Sequence, residues 1–236
     1  MSAGGYGLTL NRTRARIQLT LGILCLLLAA VLAASGFYAL RWYKTGEMPP
    51  AIRVRAMEAD PRVDETPVTK EQTAAYNVPA THPRYISIDK LGIYNVRIFP
   101  VGLDANNILK TPANINDAAW YTQSATPGAG FGAVMIDAHN GGITRDGVFA
   151  GLNKLSSGDL ITVERGDGKK YTYSVTSNKS MSLNDVNKTG MQELMQSSDP
   201  SKEGLSLITC DGNYVPSIKQ YDRRIMLRAV RVNDIL

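Results

Sequence analysis

A chain of 236 residues that is 44% hydrophobic and 20% charged has the composition of a globular protein, with room for one ordinary domain plus attachments. Its net charge of +5 is thinly spread: residues 1–83 hold nine Lys/Arg against six Asp/Glu. No part carries the clustered basic stripe that nucleic-acid binding requires, so nucleic acid is excluded as a partner.

In chain order, residues 1–16 form a short polar and basic lead. No residue from Gln18 to Leu40 is charged, and the centre reads Leu24-Cys25-Leu26-Leu27-Leu28. About 20 apolar residues suffice to cross a bilayer as a helix, so residues 17–40 are expected to be a transmembrane helix. Ala33-Ala34-Ser35 resembles a signal-peptide cleavage site, but the apolar run exceeds the usual length of such a segment, which favours a retained anchor. Arg12, Arg14 and Arg16 before the run compete with Arg41, Lys44, Arg53 and Arg55 after it. The charge bias alone therefore leaves the orientation open. Cys25 reads as an ordinary apolar membrane residue.

Residues 41–83 contain six prolines, scattered charges and little apolar periodicity, which reads as an extracytoplasmic stalk. A short helix around Lys70 to Tyr76 is compatible with the pattern. From Arg84 onward the chain turns to strands. Tyr85 to Ile88 and Ile93 to Ile98 alternate apolar and polar residues. Ala133 to Ile136 is a short apolar run, and Asp159 to Glu164 and Lys170 to Val175 flank Gly166-Asp167-Gly168 as a hairpin. Leu205 to Thr209 and Ile225 to Val232 supply two more. Helical spacing is confined to Val148 to Leu155 and Thr189 to Met195. Seven or so short strands with little helix predict an all-β domain, closed or sandwiched, over residues 84–236.

The chemistry-bearing residues are few. The chain has two cysteines and two histidines. Beyond the membrane run only Cys210 remains, so the domain holds no internal disulfide, and an unpaired extracytoplasmic cysteine is either a reactive thiol or a buried apolar residue. It ends the strand Leu205-Ser206-Leu207-Ile208-Thr209, and Arg223-Arg224 opens the next. His139 follows a third strand, whereas His82 lies in a Thr-His-Pro stretch. A thiol attacks carbonyl carbon as the thiolate, which a nearby imidazole or guanidinium favours. The oxyanion then needs donors and the departing amine needs a proton. Cysteine, histidine and arginine supply all three functions.

These residues resemble the sortase family of membrane-bound cysteine transpeptidases. Ser206-Leu207-Ile208-Thr209-Cys210 matches the family's T-L-x-T-C strand in all but its first residue. Arg224 meets the family spacing to Ala229, whereas Arg223 would point to the opposite face of the strand. Ala138 precedes His139 where the family usually has glycine. Val101-Gly102-Leu103-Asp104, Ala119-Trp120-Tyr121, Thr126-Pro127-Gly128 and Phe149-Ala150-Gly151-Leu152 are further landmarks. The resemblance implies an eight-stranded β-barrel, with Cys210 as nucleophile, His139 as acid/base and Arg224 steadying the oxyanion. It implies cleavage of an L-P-x-T-G-type sorting signal on surface proteins, and transfer to an amine of a peptidoglycan precursor or a pilin lysine. It also implies an N-terminus in the bacterial cytoplasm and a catalytic domain outside the membrane. No cofactor is implied. Some sortases bind calcium, but no EF-hand-like loop and no zinc spacing exists here, so metal stays unassigned.

Two alternatives remain beside it. An L,D-transpeptidase also uses cysteine and histidine, but its S-x-G-C-R stretch is absent. A membrane-tethered binding or scaffold domain would keep the barrel without catalysis. An activated thiol, unlike a scaffold cysteine, is expected to alkylate below the pH range of an ordinary one.

Overall fold

A computed structural model describes residues 6–46, 63–142 and 144–232. The N-terminal unit is one helix, α1 (Tyr6–Thr45). From Arg14 to Thr45 it is long and apolar enough to cross a membrane, which makes it a candidate membrane anchor. From Arg14 onward its leucines and its two isoleucines, Ile17 and Ile23, are exposed, as a lipid-facing surface requires.

The second unit is a closed barrel of eight strands: β1 (Pro83–Ile88), β2 (Ile93–Val101), β3 (Ala118–Tyr121), β4 (Ala133–Ala138), β5 (Leu160–Arg165), β6 (Lys170–Ser182), β7 (Gly204–Val215) and β8 (Gln220–Arg231). Their order around the barrel is β1-β2-β3-β4-β7-β8-β6-β5. The expected closed all-β fold is thus observed. Closure leaves no strand edge open. The β2–β3 and β4–β7 pairs are parallel, and the other pairs with a resolved register are antiparallel.

Alternation divides the apolar residues between two layers. Val134, Ile136 and Ala138 of β4, Leu205 and Leu207 of β7, and Ile225, Leu227 and Ala229 of β8 fill the interior with Ile86, Trp120 and Tyr173. Met135, Ile208 and Met226, one residue out of phase, point outward under Val186 and Leu194. Those two come from a helical segment in three pieces, Leu183–Asp185, Val186–Gly190 and Met191–Leu194. All six residues of β4 are therefore buried, which explains their nearly continuous apolar character.

Two carboxylates hold the barrel's loops. Asp117 takes a bidentate pair of bonds from Arg97 on β2, each 2.8 Å, and fixes the end of the β2–β3 loop. Glu203 is 2% exposed. It accepts from the amides of Gly128 and Gly130 at 3.0 and 2.8 Å and from the Tyr173 hydroxyl. Gly128 and Gly130 have φ of +85° and +83°, backbone that glycine alone adopts without strain. The glycine-rich turn thus wraps an internal carboxylate.

Residues 63–83 run along the barrel. Thr69 caps α2 (Lys70–Ala75) with a reciprocal bond to Gln72. Tyr76 packs on Tyr85 and Phe99 at ring separations of 6.2 and 4.8 Å. Asp64 pairs with the β2–β3 loop through Ala113 and Ile115.

Glu203→Ala should leave two amides and a phenol without an acceptor and cost the barrel about 3 kcal/mol. Thermal unfolding of the detergent-solubilised chain, followed by near-ultraviolet circular dichroism, measures it. An unchanged midpoint would contradict this account of the turn.

Candidate active site

β4, β7 and β8 are neighbours in the barrel, and the site lies where the outer apolar layer runs out. On β7, Ser206 and Ile208 face outward and Cys210 follows them at the same two-residue period. On β8, Arg224 shares the face of Met226. On β4, Asp137 shares the face of Met135. Ser206 stands where the family motif has threonine, and its hydroxyl is buried opposite Met135. The hydroxyl of Thr209 donates to the Ala138 carbonyl at 2.6 Å, stitching the end of β4 to β7 beside the cysteine.

The β4–β7 register ends with Asp137 opposite Ile208. His139 follows directly after the end of β4, and Cys210 lies two residues past the last paired position of β7. The Nε2 of the His139 imidazole lies 2.7 Å from the Pro112 carbonyl in the β2–β3 loop. Residues 64–66 border the same region. Glu65 accepts from the amide and hydroxyl of Thr144, while Thr66 accepts from Asn114 and Asn116 at 2.9 and 3.0 Å. His82 stacks on Trp120 at 4.9 Å, a packing role on another strand pair.

The two arginines divide their work as the strand period predicts. Arg223 donates to the hydroxyl and carbonyl of Ser180 at 2.7 and 2.9 Å, and Ser180 bonds Asp211. Arg224 donates to the carbonyls of Tyr221 and Arg223 and to Gln220. Its charge favours ionisation of both the Cys210 thiol and the Asp137 carboxyl. Gly212, with φ +78°, ends the shared stretch. A Cβ there would lie 2.1 Å from Asp222 Oδ1, which accepts the Asn213 amide at 2.8 Å.

Burial governs the charges. It pushes the Cys210 thiol up to about 11, against the opposing pull of Arg224, and Asp137 and Asp211 add to the rise. The resting thiol is thus protonated at neutral pH, and desolvation outweighs the cation that the sequence suggested would acidify it. Burial likewise raises Asp137 to about 7, opposed by Arg224 and the Ala138 amide. Asp137 Oδ2 is buried with no hydrogen-bond partner among the described residues. Sequence reasoning passed over this residue, although an acid inside an otherwise apolar strand was a visible signal.

The fold and this grouping define a class: a barrel that carries a cysteine and an arginine outward on adjacent strands. The chain belongs to the sortase family, whose domain model matches residues 86–232. Among solved structures, a lid mutant of sortase A from Corynebacterium diphtheriae is 24% identical, with 68% of this chain and 74% of that one covered and a TM-score of 0.48. Sortase C1 from Streptococcus agalactiae is 21% identical, with 71% and 78% covered and a TM-score of 0.48. A sortase D5 transpeptidase from Clostridium perfringens is 18% identical, with 70% and 87% covered and a TM-score of 0.45. No curated protein matches the chain.

Asp137 gives the fold a definite pH dependence. Its folded pKa lies above the ordinary 3.8, so the folded chain keeps a proton that the unfolded chain loses. Stability therefore falls as pH rises from about 4 to about 7. Asp137→Asn removes that titration. Its thermal midpoint should exceed that of the unchanged chain at pH 8, by an equivalent of up to about 4 kcal/mol, and the gap should shrink toward pH 4. A gap independent of pH would contradict the assignment.

Proposed function

We propose that the chain is a membrane-tethered cysteine transpeptidase that cuts an L-P-x-T-G-like sorting signal between Thr and Gly and transfers the cleaved protein to an amine. The observation that carries this reading is the meeting of three strands of a sortase-family barrel, with Cys210 and Arg224 on one face and His139 directly after the end of the strand that pairs with β7. In the reaction, the Cys210 sulfur bonds to the threonine carbonyl carbon as its proton passes to His139 Nε2. The Arg224 guanidinium stabilises the resulting oxyanion. The C–N bond to glycine then breaks, and the departing amine takes the proton from the imidazolium. The acceptor amine attacks the thioacyl carbon, gives up a proton to His139, and restores the thiol.

His139 must leave the Pro112 carbonyl to take this part, and apo sites often tighten only when substrate binds. The substrates follow the family: surface proteins with a sorting signal as donors, and an amine of a peptidoglycan precursor or a pilin lysine as acceptor. The helix Tyr6–Thr45 serves as the anchor, with its N-terminus cytoplasmic and the barrel outside a bacterial membrane. A second reading, a non-catalytic scaffold, is favoured by one specific observation: burial keeps the resting thiol protonated.

The test is transfer of an L-P-x-T-G peptide to triglycine by the detergent-solubilised full chain, read by liquid chromatography. Cys210→Ala should abolish transfer without altering the circular dichroism spectrum. Arg224→Ala should lower kcat/KM by about 10² to 10³, and His139→Ala by about 10² to 10⁴. No transfer across a panel of pentapeptides and amines would favour the scaffold.

A further inference from the structure

Three carboxylates are buried among the described residues, and one differs from the others. Arg97 occupies both oxygens of Asp117. Both oxygens of Glu203 are occupied by amide and hydroxyl donors. Asp137 is 8% exposed, yet its Oδ2 has no partner among the described residues. A buried acceptor left empty costs free energy, so its retention calls for an explanation. The carboxyl lies on the outward face of β4, the face from which Cys210 and Arg224 project on the next two strands. One guanidinium thus serves two acidic groups.

We infer that Asp137 is a positioning residue that competes with the Cys210 thiol for the Arg224 guanidinium. Ionised, Asp137 draws the cation and adds a like charge beside any thiolate. Protonated, it leaves the cation to the sulfur. The electrostatics agree in direction on all three sides: Arg224 favours ionisation of both groups, and Asp137 opposes that of the thiol. The carboxyl's titration near neutrality makes the competition responsive to pH in the working range. Other groups around it are accounted for. Asp211, next to Cys210, accepts from Ser180, and Tyr121 of β3 donates to Gln123 at 3.1 Å. The helical segment contributes apolar Val186 and Leu194. His139, just past the end of β4, is a further titratable group beside it among the described residues.

The inference rests on the transfer reading only in taking Cys210 as a thiol that must ionise, and its test needs no substrate. The rate of alkylation by iodoacetamide is measured from pH 5.5 to 9 on the full chain, read by mass spectrometry at the Cys210 peptide so that Cys25 does not contribute. In Asp137→Asn the rate should match that of the unchanged chain near pH 5.5 and exceed it about tenfold at pH 8.5, the size of a one-unit change in the thiol. The unchanged chain should itself show a shoulder between pH 6 and 8, where ionisation of Asp137 offsets the gain in thiolate. That shoulder should persist in His139→Asn. A straight rise of unit slope without a shoulder would overturn the inference even if Asp137→Asn fails to fold. So would a rate ratio that is constant with pH, or a shoulder lost in His139→Asn. A chain that shows the competition but never transfers a peptide would leave this inference standing and remove the transpeptidase.

Discussion

Desolvation at the end of one apolar face sets the chemistry of this molecule. Met135, Ile208 and Met226 are covered by Val186 and Leu194, and the next outward residues on the same three strands are Asp137, Cys210 and Arg224. Burial there strips water from an acid and a thiol beside a cation that stays partly exposed. A charge in such surroundings is affordable only beside its opposite. Burial raises both the carboxyl and the thiol, against the pull of the one guanidinium they share. The strand order β4-β7-β8 is what enforces this sharing.

The barrel around that point is built to keep the three strands in register. Parallel pairing of β4 with β7 over five residues and the bond from Thr209 to Ala138 fix the height of Cys210 relative to His139. Nine paired positions between β6 and β8 set Met181 beside Arg224 and Ser182 beside Arg223. Arg223 is thereby committed to Ser180, while Arg224, held by the Tyr221 and Arg223 carbonyls, acts on the thiol through its charge. Closer to the histidine, Arg97 and Asp117 pin the loop whose Pro112 carbonyl holds the imidazole.

Much of this was legible in the residues. The alternating runs at β1 and β2 and the hairpin at Gly166-Asp167-Gly168 stand where the pattern put them, because each has one inward face to fill, whereas β7 does not end at Cys210 but runs on to Val215. Strand parity also told Arg224 from Arg223. β3 was not read as a strand, since Ala118–Tyr121 is four residues long, buried throughout, and shows no alternation. β6 continues through Thr176, Ser177, Asn178 and Lys179 to Ser182. Polar residues of low strand preference are held there by pairing with β8, a long-range constraint that outweighs local propensity. Asp137 escaped because its strand read as apolar, and the state of the thiol escaped because burial is a tertiary quantity. The contact of residues 64–66 with the β2–β3 loop joins segments some fifty residues apart, which no local pattern encodes.

The account's central claim is that Cys210 forms a thioacyl bond with a sorting peptide. Intact-mass measurement of the full chain in detergent, mixed with an L-P-x-T-G peptide without an acceptor amine and quenched in acid, tests it most directly. A mass gain equal to the peptide up to its threonine, located at Cys210 and removed by hydroxylamine, is the predicted result. An unmodified Cys210 under conditions where the barrel is folded, across a panel of related pentapeptides, would contradict it.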